Sequence, residues 1–419
     1  MSELRLCRRS VLRIGTSAVF GALVARHATP AAAQEAASRA KARGCILLWL
    51  NGGPSHIDTF DPKPGRATGG SFKAVKTCVH GVLVAEHLPK LADRMDRVAL
   101  VRSMSSKEGN HARAQYYVHT GYAPNPTVVH PSLGGWVAAR AVEPHAELPP
   151  FVSIGGPSFG AGFLGVENGP FVIQKAGASP ADVDLAPGVD EARFERRRAA
   201  LDALEERFAG ITGDAKVHGR REIYAQAVRL MRAPGLAAFD VSTESDATRA
   251  AYGDTDFGRG CLVARRLVER GVRFVEVVLD GWDTHQNNFE RTKALSQTLD
   301  TALAALLDDL RARGVVDQTL VACMGEFGRT PRINANDGRD HWPQAWTALL
   351  AGGGLRGGVA HGATDEDGAK VLGTPTTVPD LLATMASALG LDPGHTESTP
   401  AGRPISVTDG GAPLPNLIR

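Results

Sequence analysis

A series of short apolar runs, each cut off by glycine and polar residues, restricts this chain most. Cys45–Leu50 runs without a break into Asn51-Gly52-Gly53-Pro54. Val98–Val101 is flanked by Arg97 and Arg102 and ends at a polar loop, and Phe274–Leu279 is interrupted only by Glu276. Thr319–Met324 stops at Gly325-Glu326-Phe327-Gly328, and Trp346–Ala351 stops at a further glycine run. A strand with one wet face alternates polar and apolar residues; a strand with no wet face has no reason to. These runs therefore predict strands covered on both sides. Between them lie helical patterns: about His111 to His119, closed by Thr120-Gly121, and a long one in which Leu295, Leu299, Leu303, Leu306, Leu307 and Leu310 recur in steps of three and four before Gly314. Strand, loop, helix, strand is the rhythm of a doubly wound α/β sheet.

In such sheets, sites gather at the carboxyl ends of the strands. The chain's polar clusters fall there. The first, Asn51 to Asp61, joins close-approach glycines to His56 and Asp58. The second, Ser103 to Arg113, opens a helix on which His111, Gln115 and His119 share roughly one face. The third, Asp280 to His285, holds Asp283 two residues before His285. The fourth, Gly325 to Pro331 with Gly338 to Pro343, holds Glu326, Asp340 and His341, with Arg329 and Arg339 suited to a bidentate oxyanion clamp. Taken singly, each reads equally as a turn, a helix cap or a surface ion pair. Together they predict one or two divalent ions held by carboxylates and imidazoles, drawn from His56, Asp58, Asp283, His285, Glu326, Asp340 and His341. Arg113 and Arg329 are expected on an oxyanion, with a metal-bound water or His111 itself as nucleophile. Mixed nitrogen and oxygen donors allow zinc, manganese, calcium or iron.

The amino terminus has a different character. Arg8-Arg9-Ser10-Val11-Leu12-Arg13, a short apolar stretch from Ile14 to Ala25 and Ala31-Ala32-Ala33 follow in the order of a twin-arginine export signal. Residues 1–33 are read as that signal, 34–43 as a leader and 44–419 as one folded domain. The protein is expected to meet the Tat translocase during export and to work in the periplasm or as a secreted protein, with no stable membrane span. The charged stretch 189–234 interleaves acids and bases, which predicts a solvated helical insertion. A net charge of +2 without a basic stripe excludes nucleic acid as the main partner. The five cysteines contain no C-x-x-C, so Cys45, Cys78, Cys261 and Cys323 are read as buried free thiols once Cys7 leaves with the signal.

Leu48 to Lys63, Gly109 to Ala114 with His119 to Tyr122, Trp282 to His285 and Gly325 to Pro331 resemble the signatures of the DUF1501 family, from about residue 44 to the end. The resemblance implies an alkaline phosphatase-like α/β/α sandwich of the sulfatase superfamily, with a metal site at the strand ends. It implies that Asn51 stands where that superfamily places a metal-binding Asp. Counting back from Thr120-Gly121, the nucleophile position falls near His111. The resemblance therefore suggests an exported, metal-dependent hydrolase of phosphate or sulfate esters, with a small-molecule or glycan ester as substrate. The alternative is a non-catalytic envelope binding protein that keeps the fold.

Overall fold

The structure, a computed structural model, describes residues 42–140, 147–181, 183–212 and 215–418. The twin-arginine segment, its cleavage point, Cys7 and all of the leader except Ala42 and Arg43 lie outside the described residues.

Eight strands form the central sheet: β1 (Gly44–Asn51), β2 (Val98–Met104), β3 (Phe151–Ile154), β4 (Phe171–Ile173), β5 (Phe274–Asp280), β6 (Thr319–Met324), β7 (Trp346–Gly352) and β8 (Val359–His361). Their spatial order is β8-β2-β7-β6-β1-β5-β3-β4. The pairs β1–β5, β1–β6, β3–β5, β3–β4 and β2–β8 are parallel, whereas β7 runs antiparallel to both β2 and β6. The expected mostly parallel α/β sandwich is thus the observed fold. The last strand read from the sequence is its reversed member.

β1 shows why its run is unbroken. Ile46, Leu48 and Leu50 enter one core, and Cys45, Leu47 and Trp49 enter the other. The first core is filled by the helices α5 (Asp256–Glu269) and α6 (Asn288–Ala312), and the second by α2 (Leu133–Ala139) and α7 (Val378–Ala388). Helix α1 (His111–Thr120) lies at the rim, capped by Asn110, whose Oδ1 accepts from the Arg113 N–H, and ended by Gly121 at φ 76°. Helices α3 (Glu191–Thr212) and α4 (Ala215–Met231) occupy the charged stretch. Cys45, Cys261 and Cys323 are buried free thiols, whereas Cys78, expected buried, is exposed.

A buried charge network ties the first helical layer together. Arg265, 1% exposed, donates to Glu244 at 2.7 Å and to Glu269 at 2.7 Å, and lies 2.9 Å from Asp309 of α6. Burial alone would raise the Glu244 carboxyl, but hydrogen bonds from Arg265 and Arg266 hold it below its ordinary 4.5. A depressed folded value means the stabilisation is complete above 4.5 and is lost as pH falls through the depressed value. The thermal midpoint of the wild type is therefore expected to fall more steeply on acidification below about pH 4.5 than that of Glu244→Gln. Superimposable calorimetric pH profiles for the two proteins would remove this assignment.

Candidate functional site

The rim is built by glycine-permitted approach. Gly52 and Gly53 follow β1 at φ 114° and 75°. A methyl on Gly52 would sit 2.3 Å from the Asp283 nitrogen, and one on Gly53 would sit 2.7 Å from the Phe327 ring. No other residue lets the loops after β5 and β6 close on β1 this way. His341 arrives differently. It lies in a two-residue ribbon, His341–Trp342 paired antiparallel with Gly328–Arg329, just ahead of the amino end of β7. Because β7 is reversed, its amino end stands at the same rim as the carboxyl ends of β1, β5 and β6.

Three of the side chains brought here could ligate one cation. Donor atoms of His111, Asp283 and His341 all lie within 4.8 Å of one another. His111 Nδ1–H donates to Glu326 Oε1 at 2.6 Å, and His341 Nδ1–H donates to the Gly109 carbonyl at 2.8 Å. With Nδ1 committed, Nε2 is the ring nitrogen each histidine has left to offer a ligand. Both Nε2 atoms are buried and without a hydrogen-bond partner. They stand 3.5 Å and 3.7 Å from the Asp283 oxygens. Buried polar atoms normally find partners, so two unsatisfied ring nitrogens turned toward one carboxylate fit a cation. The hydrogen bond to Glu326 raises the His111 imidazole above its usual range, and burial lowers that of His341. Burial would push Asp283 up, but Arg329, His285 and His111 hold it below, as a carboxylate.

Glu326 is fully buried and accepts from the Gly52 N–H, His111 and Gln115, so it stands behind His111 rather than among the three. His285 Nδ1 lies 2.7 Å from Asp283 Oδ1, and its ring is 44% exposed. Arg329 is fully buried; it donates to Asp283 at 2.6 Å, to the Gly53 carbonyl at 2.9 Å and to the Gly52 carbonyl.

Several expected site residues are committed elsewhere. Asp58 forms a fork with Arg339 at 2.6 and 2.9 Å and accepts from Asn288 at 2.8 Å, so its oxygens are used in a buried ion pair. His56 is bonded through Nε2 to the Gly368 carbonyl at 2.8 Å, apart from the three donors. Asp340, just before the ribbon, is exposed and meets Asn334 at 3.3 Å. Arg113 is an exposed partner of Glu108 at 2.7 and 2.8 Å and holds no oxyanion position. Arg329 spends its N–H groups on Asp283 and on backbone carbonyls, so it steadies the carboxylate instead of clamping a substrate. Asn51 Oδ1 accepts from Trp49 and Gln115 while its Nδ2 donates to Asp280 at 2.5 Å, which makes it a brace between strand ends. Gln115 and Asp280 were the residues missed; the β1–β5 register that sets Asn51 opposite Asp280 is the signal that would have found the second.

A family model described as "Protein of unknown function (DUF1501)" matches residues 42–418. No curated protein matches the sequence. Among solved structures, the lipoteichoic acid synthase LtaP from Listeria monocytogenes is similar at 10% identity and TM-score 0.39, over 89% of this chain and 76% of that one. The PsFucS1 sulfatase from Pseudoalteromonas sp. is similar at 12% identity and TM-score 0.38, over 87% and 72%. A protein in the alkaline phosphatase superfamily from Vibrio parahaemolyticus is similar at 12% identity and TM-score 0.35, over 85% and 68%. Likeness at this level says nothing about chemistry, which resides in particular side chains.

Proposed function

The chain belongs to the DUF1501 family, and from that premise and the geometry of its rim we propose that it is a metal-dependent hydrolase of phosphate or sulfate esters, exported by the twin-arginine route. One observation carries the reading: the two unpartnered, buried Nε2 atoms of His111 and His341 facing the Asp283 carboxylate.

His111, His341 and Asp283 would hold the ion, and two imidazoles with one carboxylate suit zinc, iron or manganese better than calcium. A divalent ion in this place supplies Lewis acidity to water and to the ester oxygens. Glu326 fixes the tautomer of His111, and the Gly109 carbonyl fixes that of His341. Arg329 keeps Asp283 ionised and oriented. His285 is held through Nδ1 by Asp283, and its partly exposed ring would take a proton from water or return one to the leaving oxygen. The expected substrate is a small-molecule or glycan ester.

A second reading, a non-catalytic envelope binding module, is favoured by one feature: among the described residues, no hydroxyl or thiol hydrogen-bonds to His111, Asp283, His285 or His341. Metal analysis of the exported protein, followed by assay on aryl phosphate and aryl sulfate esters, separates the readings. We expect a stoichiometric transition metal, turnover abolished by chelation, and a loss of about 10²–10⁴-fold in kcat for His285→Ala at unchanged metal content. Protein without metal refutes the proposal; metal without turnover on either ester class selects the binding module.

A further inference from the structure

Helix α1 supports more of the rim than His111 alone. The carbonyl of Gly109, just before the helix, holds His341, and Gln115 donates to Asn51 at 2.8 Å and to Glu326 at 3.3 Å. Its apolar anchorage is Ala114 and Val118, which are buried, with Tyr117 packed half-buried against the second core and Tyr116 held to His130.

About two turns below His111, on the same face, is His119. It is 6% exposed and lies between the rings of Trp49 and Phe159 at 4.3 and 4.7 Å. Its Nδ1 faces the Gln115 carbonyl at 2.8 Å and its Nε2 faces Glu276 Oε1 at 3.4 Å. Both ring nitrogens face oxygen atoms, and the doubly protonated imidazolium satisfies both as a donor. Glu276 is 1% exposed in the middle of β5, and its other oxygen accepts from Ser158 Oγ at 2.5 Å. A carboxylate in an otherwise apolar central strand is costly to keep, and no step above uses it.

We propose that His119 and Glu276 form a buried ion pair that sets the axial and rotational position of α1, and are thereby positioning residues for His111. A directional charge pair at the far end of the helix adds a restraint on the face that carries His111, where the apolar contacts of Ala114, Val118 and Tyr117 are non-directional. It carries that restraint through Gln115 to Glu326 and the His111 ring.

The inference builds on the cation reading, but its first readout is independent of it. In metal-free wild type with ¹⁵N-labelled histidine, the His111 Nδ1–H, held by Glu326, should give an exchange-protected signal. In His119→Leu/Glu276→Leu, which removes both partners together and so strands no charge, thermal stability should stay near wild type. The His111 Nδ1–H signal should nevertheless be lost to exchange, and cobalt(II) affinity should fall about tenfold or more, with an altered visible spectrum. Glu276→Gln, close to isosteric, should show the same losses in smaller degree and decides the matter if the double variant does not fold. Retention of the His111 signal and of wild-type cobalt binding in the folded variants overturns the proposal. If wild type itself takes up no cobalt, the hydrolase reading fails, while the nitrogen spectra still decide the role of the pair.

Discussion

Replacing Asp283 by alanine is expected to abolish tight binding of a divalent cation. The carboxylate is the only anionic member of the three-donor group, and the two Nε2 atoms face it from 3.5 and 3.7 Å. Losing a partner that merely orients a ligand weakens binding by about 10–100-fold, so losing the carboxylate itself should exceed that range. The variant also leaves the fully buried Arg329 with carbonyl partners alone. Asp283→Asn, which keeps the shape and removes the charge, should fall between wild type and Asp283→Ala. A competition titration of cobalt(II) against a chromophoric chelator measures both. Wild-type affinity in Asp283→Ala would show that the ion, if any, sits elsewhere.

The second large effect is on stability rather than binding. Asp58→Ala should destabilise the protein by about 3–5 kcal/mol, because it strands a buried guanidinium. Both partners are fully buried, and the fork from Arg339 is supplemented by Asn288 at the start of α6. Cutting it unties the loop after β1 from that helix and from the 339 loop at once. Cation content per folded molecule should stay at the wild-type value. Urea unfolding with parallel metal analysis tests this, and a variant that kept its stability but lost its metal would return Asp58 to the ligand set.

These two carboxylates show what the sequence reveals and what it hides. The parallel strands were legible because burial on two faces removes the polar half of the pattern, as in β1. The short strands β3, β4 and β8, of three or four residues, carry too little pattern to be recognised. The reversal of β7 was illegible because an apolar run reads the same whichever way its neighbours point. That the polar clusters lie at the strand ends was legible for the same reason as the strands. Which acids serve the candidate site was not: Asp58 and Asp283 sit in similar glycine-flanked loops beside histidines, and the difference is a partner's position. Arg339, 281 residues beyond Asp58, occupies it completely, whereas Arg329 grips Asp283 from one side. Asp340, just before the two-residue ribbon, is exposed and meets Asn334, whereas its neighbour His341 is the one of the pair that joins the three-donor group.

The reversed strand has a consequence for biogenesis. The third donor is delivered by the segment that leads into β7, and β7 must slot between β2 and β6, which are already far apart in the chain. A nascent polypeptide emerging from the ribosome therefore possesses His111 and then Asp283 long before it possesses a complete pocket. On the proposed reading, a complete three-donor pocket exists only once the sheet has closed, so cation capture would fall late in maturation, and export of the folded molecule would decide in which compartment the ion is chosen.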